Sequence, residues 1–140
     1  MNGSKTMKIG QERLAGMLMP VASLPSKDGI GSFGKEAYKF VDMLAEMGIR
    51  VWQILPLNPL GYGNSPYQPF SSYAGDALYV DLELLRRAGY SGGEGDDWTP
   101  EGDPGRIDYE RARAWKEPRL RRAYEAFHRK GRPEPEFASF

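Results

Sequence analysis

The sequence contains no cysteine among its 140 residues, which removes disulfide frameworks, thiolate nucleophiles and cysteine-based zinc or iron–sulfur sites at once. A single histidine, His128, cannot build a histidine metal cluster, and no metal or other cofactor is expected. His128 stands among Arg129, Lys130 and Arg132, where cations favour the C-terminal end of a helix. Charge of one sign is also missing: 19 Lys and Arg balance 19 Asp and Glu. A chain without net charge offers no electrostatic footprint for phosphate backbones or anionic lipid, so neither nucleic acid nor a membrane is an expected partner. Long hydrophobic runs are absent too. No stretch of about eighteen apolar residues occurs, and the apolar run nearest the N-terminus is shorter than a signal-peptide core, so the chain reads as cytoplasmic.

What is present is an ordinary globular alphabet, 40% hydrophobic and 27% charged, with 17 glycines and 11 prolines. That proportion of Gly and Pro is high for a helical bundle and points to long, shaped loops. The run from Arg13 to Ser23 is apolar and bounded by turn residues, as for a strand buried on both faces. After Ser32, the residues Ala37, Phe40, Val41, Leu44 and Met47 recur at helical spacing until Gly48 stops them. Arg50 to Leu57 is a second β-rich run, limited by Pro56. Strand, helix and strand predict one βαβ unit with a parallel sheet. Asp81 to Ala88 predicts a short helix ended by Gly89. Tyr90 to Gly105 is a polar connection. Tyr109 to Trp115 reads as one helix, and Pro118 suits the first position of the next, with Leu120, Ala123, Tyr124 and Phe127 as its apolar stripe.

The second strand runs into a segment unlike the rest of the chain. From Val51 through Gly75, 25 residues, no side chain is charged, where average content predicts about seven. Tyr62, Tyr67, Phe70 and Tyr73 are interleaved there with Gly61, Gly63, Asn64, Ser65, Gln68, Ser71 and Ser72. A neutral polyhydroxylated ligand needs this mixture, because sugar rings stack their C–H faces on aromatic side chains while their hydroxyls pair with Ser, Asn, Gln and backbone groups. Loops at the C-terminal ends of parallel strands are also where α/β folds keep their sites. The competing reading is that the aromatics only cover a core, as Trp52 and Tyr79 are expected to do.

Other polar residues carry less. Asp28 lies in a Lys-Asp-Gly turn, where Asp bonds the local backbone, and Asp42 falls on a solvated helix face. Asp76 and Asp81 flank an apolar strip, with Asp81 placed to cap the following helix. None of them is read as catalytic. The stretch Gly29 to Gly34, GIGSFG, matches neither the GxGxxG nor the P-loop spacing and is better read as a helix start.

Three ordered pieces, SLPS with GIGSFG, WQILPLNP, and GYGNSPYQPFSSYAG, closely resemble the N-terminal part of the 4-α-glucanotransferases, also called amylomaltases or disproportionating enzymes. The likeness continues more faintly through DALYVDLELL and RIDYERARAWKEPRLRRAYEAF, so it covers most of the chain from Arg13 to Phe127. It implies an α/β fold: the N-terminal part of a (β/α)8 TIM barrel, incomplete in this chain, since a closed barrel takes about 250 residues. Residues 1–12 would then be an N-terminal tail, 13–130 the partial barrel and 131–140 a C-terminal tail.

The resemblance further implies transfer of α-1,4-glucan segments between maltodextrins by a retaining double displacement. That chemistry uses a nucleophilic carboxylate and an acid/base carboxylate about 5 to 5.5 Å apart. In the family these lie on later strands, so no catalytic residue is assigned here and the chain alone is expected to be inactive. Its partners would be maltooligosaccharides and other α-1,4-glucans. By position, Tyr67 would contact the sugar at the cleavage point and Ser65 would hydrogen-bond a neighbouring sugar, with Gln68, Asn64 and Tyr62 as lesser contacts. Asn64 stands where the family commonly has Asp, and Asp76 where it commonly has Asn. The alternative reading is a non-catalytic maltooligosaccharide-binding or interaction fragment.

Overall fold

Two short strands, β1 (Gly16–Leu18) and β2 (Val51–Gln53), pair in parallel with Met17 opposite Trp52. They are seen in a computed structural model that describes residues 13–90 and 106–130. Bonds from Arg50 N–H to Ala15 and from Met19 N–H to Gln53, at 3.1 and 3.0 Å, extend the ladder by one step at each end. The expected parallel βαβ unit is therefore present, with helix α1 (Lys35–Glu46) as its crossover.

Both strands are shorter than the apolar runs that contain them. Pro20 has no N–H to give to a ladder, and the chain turns there into a single 3-10 turn, Val21–Ser23. The expectation of burial on both sheet faces is also corrected, since Leu18 is 54% and Val51 40% exposed. Helix α1 reaches the sheet through Phe40, whose ring meets Trp52 edge-on at 5.1 Å. Among the described residues the sheet has no third strand, so the outward positions keep their solvent.

The helix ends follow local chemistry. Gly48 (φ 73°) and Gly89 (φ 77°) take the left-handed conformation just beyond α1 and α2 (Leu82–Arg87), as glycine does at helix C-termini. Asp81 caps α2 by accepting the Leu84 N–H at 2.8 Å, as expected. Asp108 likewise caps the last described helix, α3 (Tyr109–Arg129), through the Arg111 N–H at 3.0 Å.

Helix α3 (Tyr109–Arg129) is continuous, which corrects the reading of Pro118 as the start of a new helix. Its buried residues Ala112, Lys116 and Ala123 lie on both sides of the proline, so packing on one face holds a single axis across it. Proline removes one helical N–H and crowds the carbonyls of the preceding turn. On that turn the Arg119 guanidinium donates to the Trp115 carbonyl at 2.9 Å and lies over the Trp115 ring.

The core gathers Val21, Ala22 and Leu24 after β1, Ile30 before α1, Ala37 on α1, Leu78 and Tyr79 in a 3-10 turn (Ala77–Tyr79), and Ala112 on α3. Tyr79 is thus a core residue and Trp52 a half-buried neighbour, as expected. Asp42 is exposed on α1. The polar connection's residues 91–105 and both terminal tails lie outside the described residues. No helix among the described residues is long and apolar enough to cross a membrane.

Candidate functional site

The charge-free segment leaves β2 and folds back on itself. Its base is closed by Asp76 N–H donating to the Leu57 carbonyl at 2.7 Å and by the Asn58 amide donating to Ala74 O at 3.0 Å. Higher up, Phe70 N–H bonds Pro59 O at 3.3 Å, and Leu60 bridges Pro69 in antiparallel sense. At Gly61 the strands approach so closely that a Cβ would run into the Gln68 carbonyl. The result is a hairpin-like loop, residues 58–75, with both ends fixed on the C-terminal side of β2.

At its tip the chain makes a 3-10 turn, Tyr62–Asn64, in which Gly63 (φ 78°) and Asn64 (φ 55°) are left-handed. Asn and Asp tolerate that region better than other side chains because they bond their own backbone, which is why either suits position 64. Ser65 Oγ accepts the Tyr67 N–H at 3.4 Å, and Ser71 Oγ accepts the Tyr73 and Ala74 N–H groups at 3.3 Å. In these bonds each hydroxyl serves as acceptor, a role that does not use its proton.

Of the residues singled out from sequence, Asn64, Ser65, Tyr67 and Gln68 therefore sit together on one turn, tied by Asn64 N–H to Gly61 O and Gln68 N–H to Ser65 O. Tyr62 opens the same turn, and its side chain lies outside the described part. Tyr67 is 72%, Phe70 82% and Tyr73 fully exposed. These aromatics do not cover the core seen here, whereas Leu60, at 5% exposure, does face inward. Beneath the loop a cavity of about 110 Å³ opens between Val21 of the first strand's loop, Leu57, Leu60 and Pro66 of the second's, and the rings of Tyr79 and Tyr109. Burial, with Tyr109 and the Asp76 carboxylate nearby, pushes the Tyr79 phenol up to about 12. The Tyr109 phenol rises as well, through burial first and then the Asp76 carboxylate.

The carboxylates near the strands are engaged structurally. Asp76 is buried; its Oδ1 accepts the Leu78 N–H at 2.9 Å and its Oδ2 meets Arg113 Nη2 at 3.3 Å. Asp81 accepts the Ser32 hydroxyl at 2.8 Å as well as capping α2. Asp28 follows a turn in which its own N–H donates to Ser26 Oγ at 2.9 Å, and its Oδ2 lies 3.9 Å from Lys116 Nζ. Among the described residues no group of three or more His, Asp or Glu side chains is placed to hold a metal.

Sequence reasoning missed Lys116 and Arg113. Lys116 has no exposed surface, and its ammonium donates to the carbonyls of Leu78 at 2.6 Å and Val80 at 2.8 Å. Desolvation lowers its pKa against the opposing pull of Asp28, Asp81 and Asp76. The signal was in the helical spacing: Lys116 falls on the same face as Ala112 and Ala123, a basic residue in an apolar stripe.

A parallel strand–helix–strand unit carrying a neutral aromatic loop at the strand ends belongs to the α/β class whose sites form at strand C-termini. The family model described as 4-alpha-glucanotransferase matches residues 19–140, and the chain belongs to that family. It is 45% identical over 130 residues to the 4-alpha-glucanotransferase of Thermus thermophilus, a match covering 91% of this chain and 25% of that one. Over 75 residues it is 56% identical to the 4-alpha-glucanotransferase of Aquifex aeolicus, covering 52% and 16%. Among solved structures it resembles an amylomaltase from Streptococcus agalactiae in complex with acarbose, with TM-score 0.80, 39% identity and coverage of 86% and 25%. The chain spans about a quarter of the length of these first relatives.

Proposed function

We propose that this chain supplies the N-terminal strand–helix units of a (β/α)8-barrel 4-α-glucanotransferase acting on α-1,4-glucans, and that its loop 58–75 binds the sugar. The observation that carries the reading is the exposed, uncharged Tyr67–Gln68 turn, held on a backbone-bonded loop at the end of β2 in a chain of this family. The Tyr67 ring stacks on a glucose C–H face, and the Ser65 hydroxyl, already accepting from Tyr67 N–H, donates to a sugar oxygen. Gln68, Asn64 and Tyr62 add contacts to neighbouring hydroxyls.

In this reading the chain's own share of the reaction is binding and orientation. Retaining transfer needs a nucleophile and an acid/base carboxylate aimed at one glycosidic bond, whereas Asp28, Asp76 and Asp81 are spent on backbone, arginine, lysine and serine partners. The chain alone should therefore release no glucose from maltotriose. Joined in frame to the remaining three-quarters of the Thermus thermophilus relative, in place of the matching segment, it should support maltotriose disproportionation. A folded chimera without turnover would defeat the proposal.

The cross-loop bonds also favour a second reading, binding without turnover by the 140-residue chain itself. Calorimetry with maltoheptaose decides it, since heat that is unchanged in Tyr67→Ala would exclude the loop as the site.

A further inference from the structure

The best-buried charge in the described structure lies behind the loop. We infer that Lys116 is a positioning residue for the sugar-contacting loop, pinning its exit to helix α3; the sugar half of this statement rests on the function proposed above.

The geometry runs from helix to loop in three steps. Lys116 Nζ donates to Leu78 O and Val80 O, the carbonyls within and just after the 3-10 turn Ala77–Tyr79. That turn is capped by Asp76, whose side chain accepts the Leu78 N–H while its backbone N–H closes the loop onto Leu57. One helical turn before Lys116, Arg113 reaches the same Asp76 carboxylate at 3.3 Å. Two cations of α3 thus grip the residues where loop 58–75 ends. Asp28, in the loop that follows β1, brings its Oδ2 to 3.9 Å from the same ammonium. Lys116 is therefore shared by the loops of both strands.

Packing alone does not call for a lysine there. A fully buried ammonium is costly to desolvate, and an apolar side chain of similar length would fill the space without that cost. What lysine adds is a compact cation able to gather several carbonyl and carboxylate oxygens at one point. Arginine keeps the charge, but its planar fork spreads the donors and reproduces that convergence only in part.

The test compares the parent chain with Lys116→Met and Lys116→Arg by amide hydrogen exchange and by maltoheptaose calorimetry. Both variants should speed exchange at the Asp76 and Phe70 amides, by about tenfold or more for Met and less for Arg, while the amides of α1 stay within about twofold. Maltoheptaose affinity should fall by about fivefold or more in Lys116→Met. Equal acceleration in α1 and the loop would make Lys116 a general stabiliser and overturn the inference, as would unchanged loop exchange in either variant. If Lys116→Met does not fold, the loop-against-α1 comparison in Lys116→Arg decides between positioning and general stabilisation. A parent chain that binds no maltoheptaose would refute sugar binding by the isolated chain, while the exchange pattern would still judge Lys116.

Discussion

The Ser32 hydroxyl donates to Asp81 Oδ2 at 2.8 Å across 49 positions of sequence, while Asp81 Oδ1 caps helix α2 through the Leu84 N–H. One carboxylate therefore joins the entrance of α1 to the start of α2. Asp81→Ala should destabilise the fold by about 2–4 kcal/mol, combining a lost cap with a lost charge-assisted bond to buried Ser32. Asp81→Asn, which keeps the cap, should cost less than half of that. Urea unfolding of both variants checks the ratio, and equal losses would contradict the double role.

Tyr67 is exposed and stands outside the core cluster. Tyr67→Ala should leave thermal stability within about 0.5 kcal/mol and weaken maltooligosaccharide affinity about tenfold, the value of one aromatic stacking contact. Tyr67→Phe should keep most of the affinity. A stability loss without an affinity loss would reverse the assignment.

The hairpin-like closure leaves no room for a side chain at Gly61. Gly61→Ala places a methyl against the Gln68 carbonyl and should cost about 1–3 kcal/mol, as overpacking does. The Leu60 and Pro69 pairing should loosen with it. Amide exchange at Gln68 and Phe70 is the direct readout, and parental rates there would show that the backbone yields without strain.

Stability should fall in alkali through the buried phenols. The Tyr79 pKa rises from 10.0 unfolded to about 12 folded, so between those values the native state holds a proton that the unfolded chain releases. Its contribution is fully present below pH 10 and is lost as pH rises toward about 12. Lys116 acts in the opposite sense: its folded pKa lies below 10.5, so the burden of its buried charge lightens as pH rises toward that value. Melting temperatures from pH 9 to about 11.5 should therefore drop less steeply in Tyr79→Phe than in the parent. Parallel curves would refute the assignment to Tyr79.

Much of the chain was readable because its chemistry is local. Gly48, Gly89 and Asp81 act on residues within one helical turn, so spacing alone placed the ends of α1 and α2. The charge-free run from Val51 to Gly75 is likewise a property of consecutive residues. Its sugar-contact candidates at 64, 65, 67 and 68 share one turn because they are neighbours in the chain. The motif resemblance and the family membership rest on the same linear order.

Other features depended on residues far apart in sequence, and only the tertiary structure decided them. Asp76 meets Arg113 across 37 positions and Lys116 meets Leu78 across 38, so no window along the chain reveals that either charge has a partner. Pro118 looked like a helix start because proline favours that position, but burial of Ala112, Lys116 and Ala123 along one face keeps α3 whole. The strands looked buried because they are apolar, yet Leu18 and Val51 remain exposed, since burial is conferred by what packs against a face and not by its composition. Sequence determined which residues the loop presents, while tertiary contacts decided what holds it, because a buried charge is stable only where distant groups converge to replace its water.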